Sequence, residues 1–433
     1  MLFLLGMPTA GAAAVPKARE ARLHNGLRVV MSPQHGLSLV SLAMVVADGS
    51  RSDPLGHAGL ASLTSALLRE GTPSRGAEQL ANEVDFLGAT LSADTDFDFT
   101  IVATSMLAKD FDKALAIFAD VLRRPTFPEE EVSRKRQELL AGIEAEQQDP
   151  GRVANRAFLA ALYGDEAPYG HPPEGSDKGL KACTRKNIVS HYQRFYLPNN
   201  CILVAVGDFE DEVLLQRLES AFGDWPQGEV PRLEPPRPAS PTKSQVLINQ
   251  PISQANVTMG RMAIQRSDPD FYALQVGNYI LGGGGFSSRL IEEVRVKRGL
   301  AYSVSSNLNA LTWPGSLEVT MQTSNPTAQE AIDIVRAQTG LMAEQPVKPE
   351  ELKAAKQYLV GSFPLKLDSN TKLTRYLALV SFYGLGLDYA ERYPALIESQ
   401  TPESILAAWK RKVASHEPTT VVVANLSAAG FTD

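Results

Sequence analysis

The sequence offers little from which a metal or redox centre could be built. Among its 433 residues only Cys183 and Cys201 are cysteines. There is no Cys-x-x-Cys pair, so no local thiolate metal site or dithiol redox motif is encoded. The six histidines are His24, His35, His57, His171, His191 and His416, and no two fall within five residues of each other. Two histidines on one helical face, the usual opening of a zinc site, are therefore missing. Basic excess is missing too. The formal net charge is −7 and the pI is near 5.6, against both a nucleic-acid binder and a polybasic membrane anchor. Beyond the first residues no apolar run reaches the ~18 residues that a transmembrane helix needs.

The two cysteines are not expected to pair. The intervening "TRKNIVSHYQRF" reads as a helix. A helix of that length spans ~18 Å, whereas a disulfide needs Cα atoms within ~7 Å. Two buried free thiols are the expectation.

The chain does have enough apolar residues for real cores, 44% of its composition, and a length that suits several domains. It opens "MLFLLGMPTAGAAAVPKARE". A short apolar run followed by Ala12-Ala13-Ala14 resembles the end of a secretory signal, although the basic start is absent. Residues 1–17 are therefore assigned as a signal-like segment, and export to the periplasm of a Gram-negative bacterium is the expectation.

A proline-rich, apolar-poor stretch at 228–243, "GEVPRLEPPRPASPTK", reads as a semi-extended linker. It separates residues 18–227 from residues 244–433, and these halves match in order. "GSRSDP" ends at Pro54 and "IQRSDP" at Pro269, 215 positions apart. "PEEEVSRKRQELLAG" ends at Gly142 and "KPEELKAAKQYLVG" at Gly361, 219 apart. Tyr163-Gly164 and Tyr383-Gly384, 220 apart, each close a helix. So long a period indicates two duplicated domains, not a solenoid. Each half mixes strands and helices without strict alternation, beginning with a hairpin at Asn25-Gly26 in the first. The fold class is α+β: two homologous tandem domains, each a mainly antiparallel sheet with helices packed on one face.

"GHAGLASLTSALLREGT" (56–72) reads as a helix with Leu60, Leu63, Leu67 and Leu68 on one face. Ser62, Thr64 and Ser65 lie opposite, and Gly71 suits a left-handed cap. In "LGGGGFSSRL", the glycines could suggest a phosphate cradle. They lack the Walker lysine spacing and the dinucleotide fingerprint. A tight turn before a helix capped by Ser287 or Ser288 is the better reading.

"LGGGGFSSRLIEEVRVKRGLAYSV" (281–304) resembles the signature of the pitrilysin/insulinase superfamily, which includes mitochondrial processing peptidases and bacterial zinc endopeptidases. "REGT" at 69–72, "PEEEVSRKRQELLAGIEAEQQDP" at 128–150 and "HYQRFYLPNNCILVAVGDF" at 191–209 extend the resemblance over nearly the whole chain. It implies tandem α+β domains facing each other across a chamber. It also implies an inverted His-x-x-Glu-His motif on the first helix, with a distal glutamate as third zinc ligand. The positions that match are Ser62, Ser65 and Ala66, and the distal match is Gly142, with Glu144 and Glu146 close by. Serine is a poor zinc ligand at neutral pH and alanine is none. The remaining histidines offer no substitute. His57 reads as a loop or capping residue, His171 as a surface-loop residue, and His191 as a helix-surface or partly buried one.

The resemblance further implies that Arg295 and Tyr302, seven apart, bind peptide opposite the zinc and that the tyrosine stabilises the oxyanion. Judged without it, Arg295 is a helix-end cation and Tyr302 ordinary packing. Taken together, the expectation is the non-zinc subunit of a heteromeric zinc endopeptidase, inactive alone. This chain would hold no cofactor. A zinc-bearing homologous subunit would be its partner and peptides its substrates, with no nucleic acid or membrane bound. Homodimerisation of the isolated chain stays open. The alternatives are an inert pseudo-peptidase that binds or scaffolds and, more weakly, an enzyme with an unrecognised site.

Overall fold

The computed structural model describes residues 17–235, 244–415 and 418–432. The signal-like start up to residue 16, residues 236–243 of the linker and His416 lie outside them.

The first half builds a six-stranded sheet from β1 (Arg19–Arg22), β2 (Arg28–Pro33), β3 (Leu39–Val46), β4 (Thr90–Thr95), β5 (Thr100–Leu107) and β6 (Cys201–Gly207). Their spatial order is β1-β2-β6-β3-β5-β4. All neighbours are antiparallel except β2 and β6. The expected hairpin joins β1 to β2, with Gly26 at φ +82°. Asn25 is buried and donates from Nδ2 to the carbonyls of Phe222 and Trp225, at 2.7 and 3.1 Å. The helices of this half are α1 (Leu60–Ala66), α2 (Ala77–Phe86), α3 (Phe111–Arg123), α4 (Glu129–Glu146), α5 (Pro150–Tyr163), α6 (Asp177–Ala182), α7 (Arg185–Phe195) and α8 (Asp211–Phe222).

The second half repeats the plan. Its strands are β7 (Gln245–Asn249), β8 (Gln254–Met262), β9 (Ala301–Asn309), β10 (Ser316–Ser324) and β11 (Thr419–Ala424), ordered β7-β11-β8-β10-β9. Again one pair, β7 with β11, is parallel and the rest antiparallel. The arrangement superposes in order on β2-β6-β3-β5-β4. Its helices include α9 (Phe271–Asn278), α10 (Ala328–Glu344), α11 (Pro349–Ser362) and α12 (Asn370–Phe382).

Each sheet buries one face against helices of its own half. Leu42, Met44, Leu203 and Ala205 pack with Leu63, Phe118 and Phe222. Val257, Met259, Val319 and Met321 pack with Leu274, Ile332 and Trp409. The opposite faces are covered as well, and the helices that cover them are exchanged. α12, from the second half, lies on β3 and β6, with Leu373, Leu377 and Ala378 against Val45, Val204 and Val206. α5, from the first half, lies on β8 and β11, with Ala154, Phe158 and Leu162 against Val421 and Val423. The expectation of helices on one face holds within each half and is extended by this exchange. β6 and β11 are inner strands so enclosed. Every residue of each is buried, which is why they read as continuous apolar runs. Parting the halves would expose Phe158, Leu162, Leu373 and Leu377, each worth about 1.5–3 kcal/mol when buried.

The duplicated Tyr-Gly pairs sit where the exchanged helices end. Tyr383 donates to Asp98 Oδ2 at 2.9 Å, just ahead of β5, and Tyr163 donates to the Pro314 carbonyl at 3.3 Å, just ahead of β10. Asp98 is fully buried. It also accepts from the Tyr169 hydroxyl and, at 2.7 Å, from the Thr312 amide. Arg51 stands 3.7 Å from its Oδ1. One carboxylate thus ties residues of both halves.

Candidate functional site

The helix that the sequence resemblance aligns with a zinc-binding helix is shorter than its pattern. α1 spans only Leu60–Ala66. At its start Gly59 adopts φ +101°, and the Asp53 carboxylate accepts from the Gly59 and Ala61 amides at 2.7 and 2.8 Å. At its end Leu68 N bonds Ser65 O, a tight i−3 contact that breaks the helical ladder. Gly71 is not the left-handed cap expected from the sequence. Its φ is +147°, and it forms a β-bridge with Gly76.

Leu60, Leu63, Leu67 and Leu68 are all buried, and so are Thr64 and Ser65 on the supposedly open face. α1 packs on β4, α4 and α7. Its hydroxyls are used internally. Ser62 Oγ donates to the Pro173 carbonyl at 2.7 Å. Ser65 Oγ donates to Ser62 O at 2.9 Å and accepts from Thr95 at 2.8 Å. Thr95 meets Thr100, which donates to the Asp48 carbonyl at 2.7 Å. Ala66 has no donor atom. Gly142 is exposed on α4, with open space where a side chain would stand. Glu146 is bound to Arg156 at 2.8 Å. Among the described residues no three His, Cys, Asp or Glu side chains converge as metal ligands. This set does not fit zinc.

Two histidines are more deeply placed than the sequence suggests. His171 is buried, with Nδ1 3.0 Å from the Pro172 carbonyl. Burial holds its pKa below the usual value. His191 on α7 is also buried, and its Nε2 stands 3.0 and 2.9 Å from the two Asp48 carboxylate oxygens. Burial works to depress its pKa, but the Asp48 charge and hydrogen bond prevail and raise it. Both residues serve packing. His57 lies in the loop ahead of α1, as expected. Cys183 and Cys201 are buried free thiols, also as expected.

Arg295 and Tyr302 lie in the second half, and the structure brings them together. Arg295 ends a wide π-type turn at Ile291–Val296. Gly299, at φ +65°, closes it, with Gly299 N on Arg295 O and Leu300 N on Val294 O, both at 2.9 Å. The chain then enters β9. There Gln322 pairs with Ser303 and Thr323 with Ala301, so Tyr302 is the extra residue of a β-bulge. Regular alternation would send Tyr302 inward with Val304 and Ser306. The bulge turns it out, to 77% exposure. Its ring centre is 5.0 Å from the Arg295 guanidinium carbon.

Sequence reasoning did not find a third member. Phe286 is 81% exposed, and its ring lies 5.2 Å from the same carbon. Arg295 thus contacts two aromatic rings. Every other cation of this segment is paired: Arg289 with Glu351, Lys297 and Arg298 with Glu293. The Arg295 side chain has no hydrogen bond or ion pair among the described residues. The signal lay in an aromatic residue between four glycines and two serines. Those serines do not cap a helix as expected. Their hydroxyls donate back to the carbonyls of Gly284 and Gly285, at 3.0 and 2.7 Å, and tie the turn.

Two family models cover most of the chain. Residues 28–171 match the insulinase family, peptidase family M16. Residues 182–359 match the domain described as the peptidase M16 inactive domain. An uncharacterized zinc protease from Mycobacterium bovis is 30% identical over 373 residues, 84% of this chain and 83% of that one. The chain belongs to peptidase family M16. The likeness extends to solved structures. A peptidase M16 inactive domain from Pseudomonas fluorescens has a TM-score of 0.87 and 28% identity, covering 94% of this chain and 98% of that one. A chain of Complex III2 from Candida albicans has a TM-score of 0.82 at 15% identity, covering 95% and 96% of the two chains. That second likeness concerns the fold alone. Ser62, Ser65, Ala66 and Gly142, the positions that the resemblance matches to the zinc motif, are small residues in this M16 member.

Proposed function

We propose that this chain is the non-zinc subunit of a two-subunit M16 endopeptidase, exported to the periplasm. The observation that carries the reading is the contrast between its two site regions. The metal positions are filled by Ser62, Ser65, Ala66 and Gly142, and the serine hydroxyls are committed to the protein itself. Arg295, half-buried, and Tyr302, exposed, by contrast retain free side-chain donors. A guanidinium and a phenol can hydrogen-bond a peptide carbonyl and stabilise charge developing on its oxygen. A zinc-bearing homologue would activate the water, while this chain positions the peptide. Tyr302 opens β9, the edge strand of its sheet, so an extended peptide can add alongside it.

The test is reconstitution. The purified chain, a zinc-bearing homologue from the same organism, and their mixture are assayed on unstructured peptides. The mixture should cleave far faster than either component, and metal analysis should find no stoichiometric zinc on this chain. A mixture no faster than the homologue alone sinks the reading. Peptide binding without any gain in cleavage would favour the scaffold alternative.

A further inference from the structure

We propose that Phe286 is a positioning residue, which holds the Arg295 guanidinium in the plane from which it meets a peptide carbonyl. The proposal rests on the split-site reading. It also gives the glycine-rich turn a purpose. Arginine on a surface samples many rotamers, and its planar donor fork is useful only when its orientation is fixed. The usual fixing device is a carboxylate, as for Arg289, Lys297 and Arg298. A carboxylate on Arg295 would occupy the donors that a peptide needs. Two aromatic faces restrain the guanidinium and leave its in-plane N–H groups free.

Both faces are deliberately mounted. Tyr302 is aimed by the bulge in β9. Phe286 is aimed by the turn. Gly285 takes φ +57°, a conformation that other residues rarely adopt. A Cβ on Gly284 would lie 2.7 Å from the Tyr279 carbonyl, and one on Gly282 would lie 2.6 Å from Ser306 N. The turn therefore sits tightly on β9 and on the preceding helix. Ser287 and Ser288 tie its carbonyls, and Ser288 is buried. The result of this construction is a phenyl ring left in solvent over Arg295.

The test uses the reconstituted complex with Phe286→Ala, Phe286→Leu and Phe286→Tyr, each in wild-type and Arg295→Ala backgrounds. Exposed cation–π contacts set the scale, so Phe286→Ala should lower kcat about two- to fivefold. Tyrosine should restore the rate and leucine should not. In the Arg295→Ala background Phe286→Ala should have no further effect. A leucine rescue, or an undiminished alanine effect without Arg295, would overturn the proposal. A readout independent of cleavage is the Arg295 Nε–H resonance of the isolated chain, assigned by its loss in Arg295→Ala. Ring currents should place it upfield; Phe286→Ala should move it downfield and Phe286→Tyr should not. A resonance unmoved by Phe286→Ala overturns the clamp, whatever the mixture does. A resonance that moves in a chain whose mixture stays inactive keeps the clamp and rejects the split site.

Discussion

Tyr302→Phe is the most direct probe of the chemistry proposed for this chain, because it removes one atom group and little else. The ring survives, so the cation–π contact with Arg295 at 5.0 Å is retained. The bulge that aims the residue is a backbone feature of β9 and β10 and does not depend on the hydroxyl. No protein group accepts from that hydroxyl among the described residues, so its loss strands nothing. The whole effect should fall on the ligand. Removing one oxyanion donor from a water-excluded site costs about 10²–10³ in kcat. Tyr302 is 77% exposed in the isolated chain, and the partner must cover it for that value to be reached. About 10- to 100-fold in kcat is therefore expected, with KM changed by less than about threefold. Steady-state kinetics of the reconstituted complex, alongside a pull-down to show that the subunits still associate, would measure it. A wild-type kcat would refute the oxyanion role. A rise in KM at unchanged kcat would refute it too, since that would mean ground-state binding only.

Three other expectations concern the scaffold. Asp98→Ala should destabilise the chain by about 3–5 kcal/mol in urea unfolding, because it strands two tyrosine hydroxyls, a backbone amide and a nearly buried Arg51; a loss below about 1 kcal/mol would show that water replaces the carboxylate. Stability should fall as pH rises from about 4 to about 7 through Asp53, and above about 6.5 through His191 as well. Asp53, pushed up to about 7 by burial, is more protonated when folded than when unfolded, and its ionisation opposes folding over that window. His191, raised by Asp48, gives stability that is complete below its unfolded pKa and lost as pH passes its folded one. Asp53→Asn should flatten the slope of urea midpoint against pH, and a midpoint that climbed with pH would contradict both signs. Cys183, whose thiol is pushed up to about 12 by burial, and the equally buried Cys201 should be inert to a thiol reagent in the native chain and both react after denaturation; fast native labelling would contradict the packing.

Much of the fold was legible because local chemistry agreed with it. Asn25-Gly26 supplied a hairpin turn with a positive φ, and the hairpin is there. The Tyr-Gly pairs marked equivalent helix ends, Tyr163 and Tyr383, and those ends do equivalent work across the contact between the halves. The helix exchange was not read, although its trace was present. The unbroken apolar runs of β6 and β11 say that both faces are covered, but not which helix covers them. Periodicity says that a helix has an apolar face and is silent about the sheet it meets. α1 shows the converse error. Its leucines were placed correctly, but its length was overestimated. Asp53 and Gly59 set its start, and the Ser65 hydroxyl bonds the Ser62 carbonyl three residues back, in competition with the backbone ladder.

The two site regions differ in a way that composition cannot convey. Ser62 and Ser65 were identified as poor metal ligands, yet a poor ligand can still face a ligand-binding space. Here their hydroxyls point back into the protein, bound to the carbonyls of Pro173 and Ser62. That region is packed, and opening it to a ligand would need hydrogen bonds undone as well as side chains exchanged. Arg295 and Tyr302 are the opposite case. Nothing internal needs an exposed tyrosine on a bulge or an arginine without a carboxylate. Holding an unpaired guanidinium against two exposed rings sacrifices burial of both rings, which packing alone would favour. A chain under selection for stability only would be expected to pair that arginine, as it has paired Arg289, Lys297 and Arg298. The unpaired donors are what the proposed split site requires, since it needs them held for an acceptor that arrives from outside the chain.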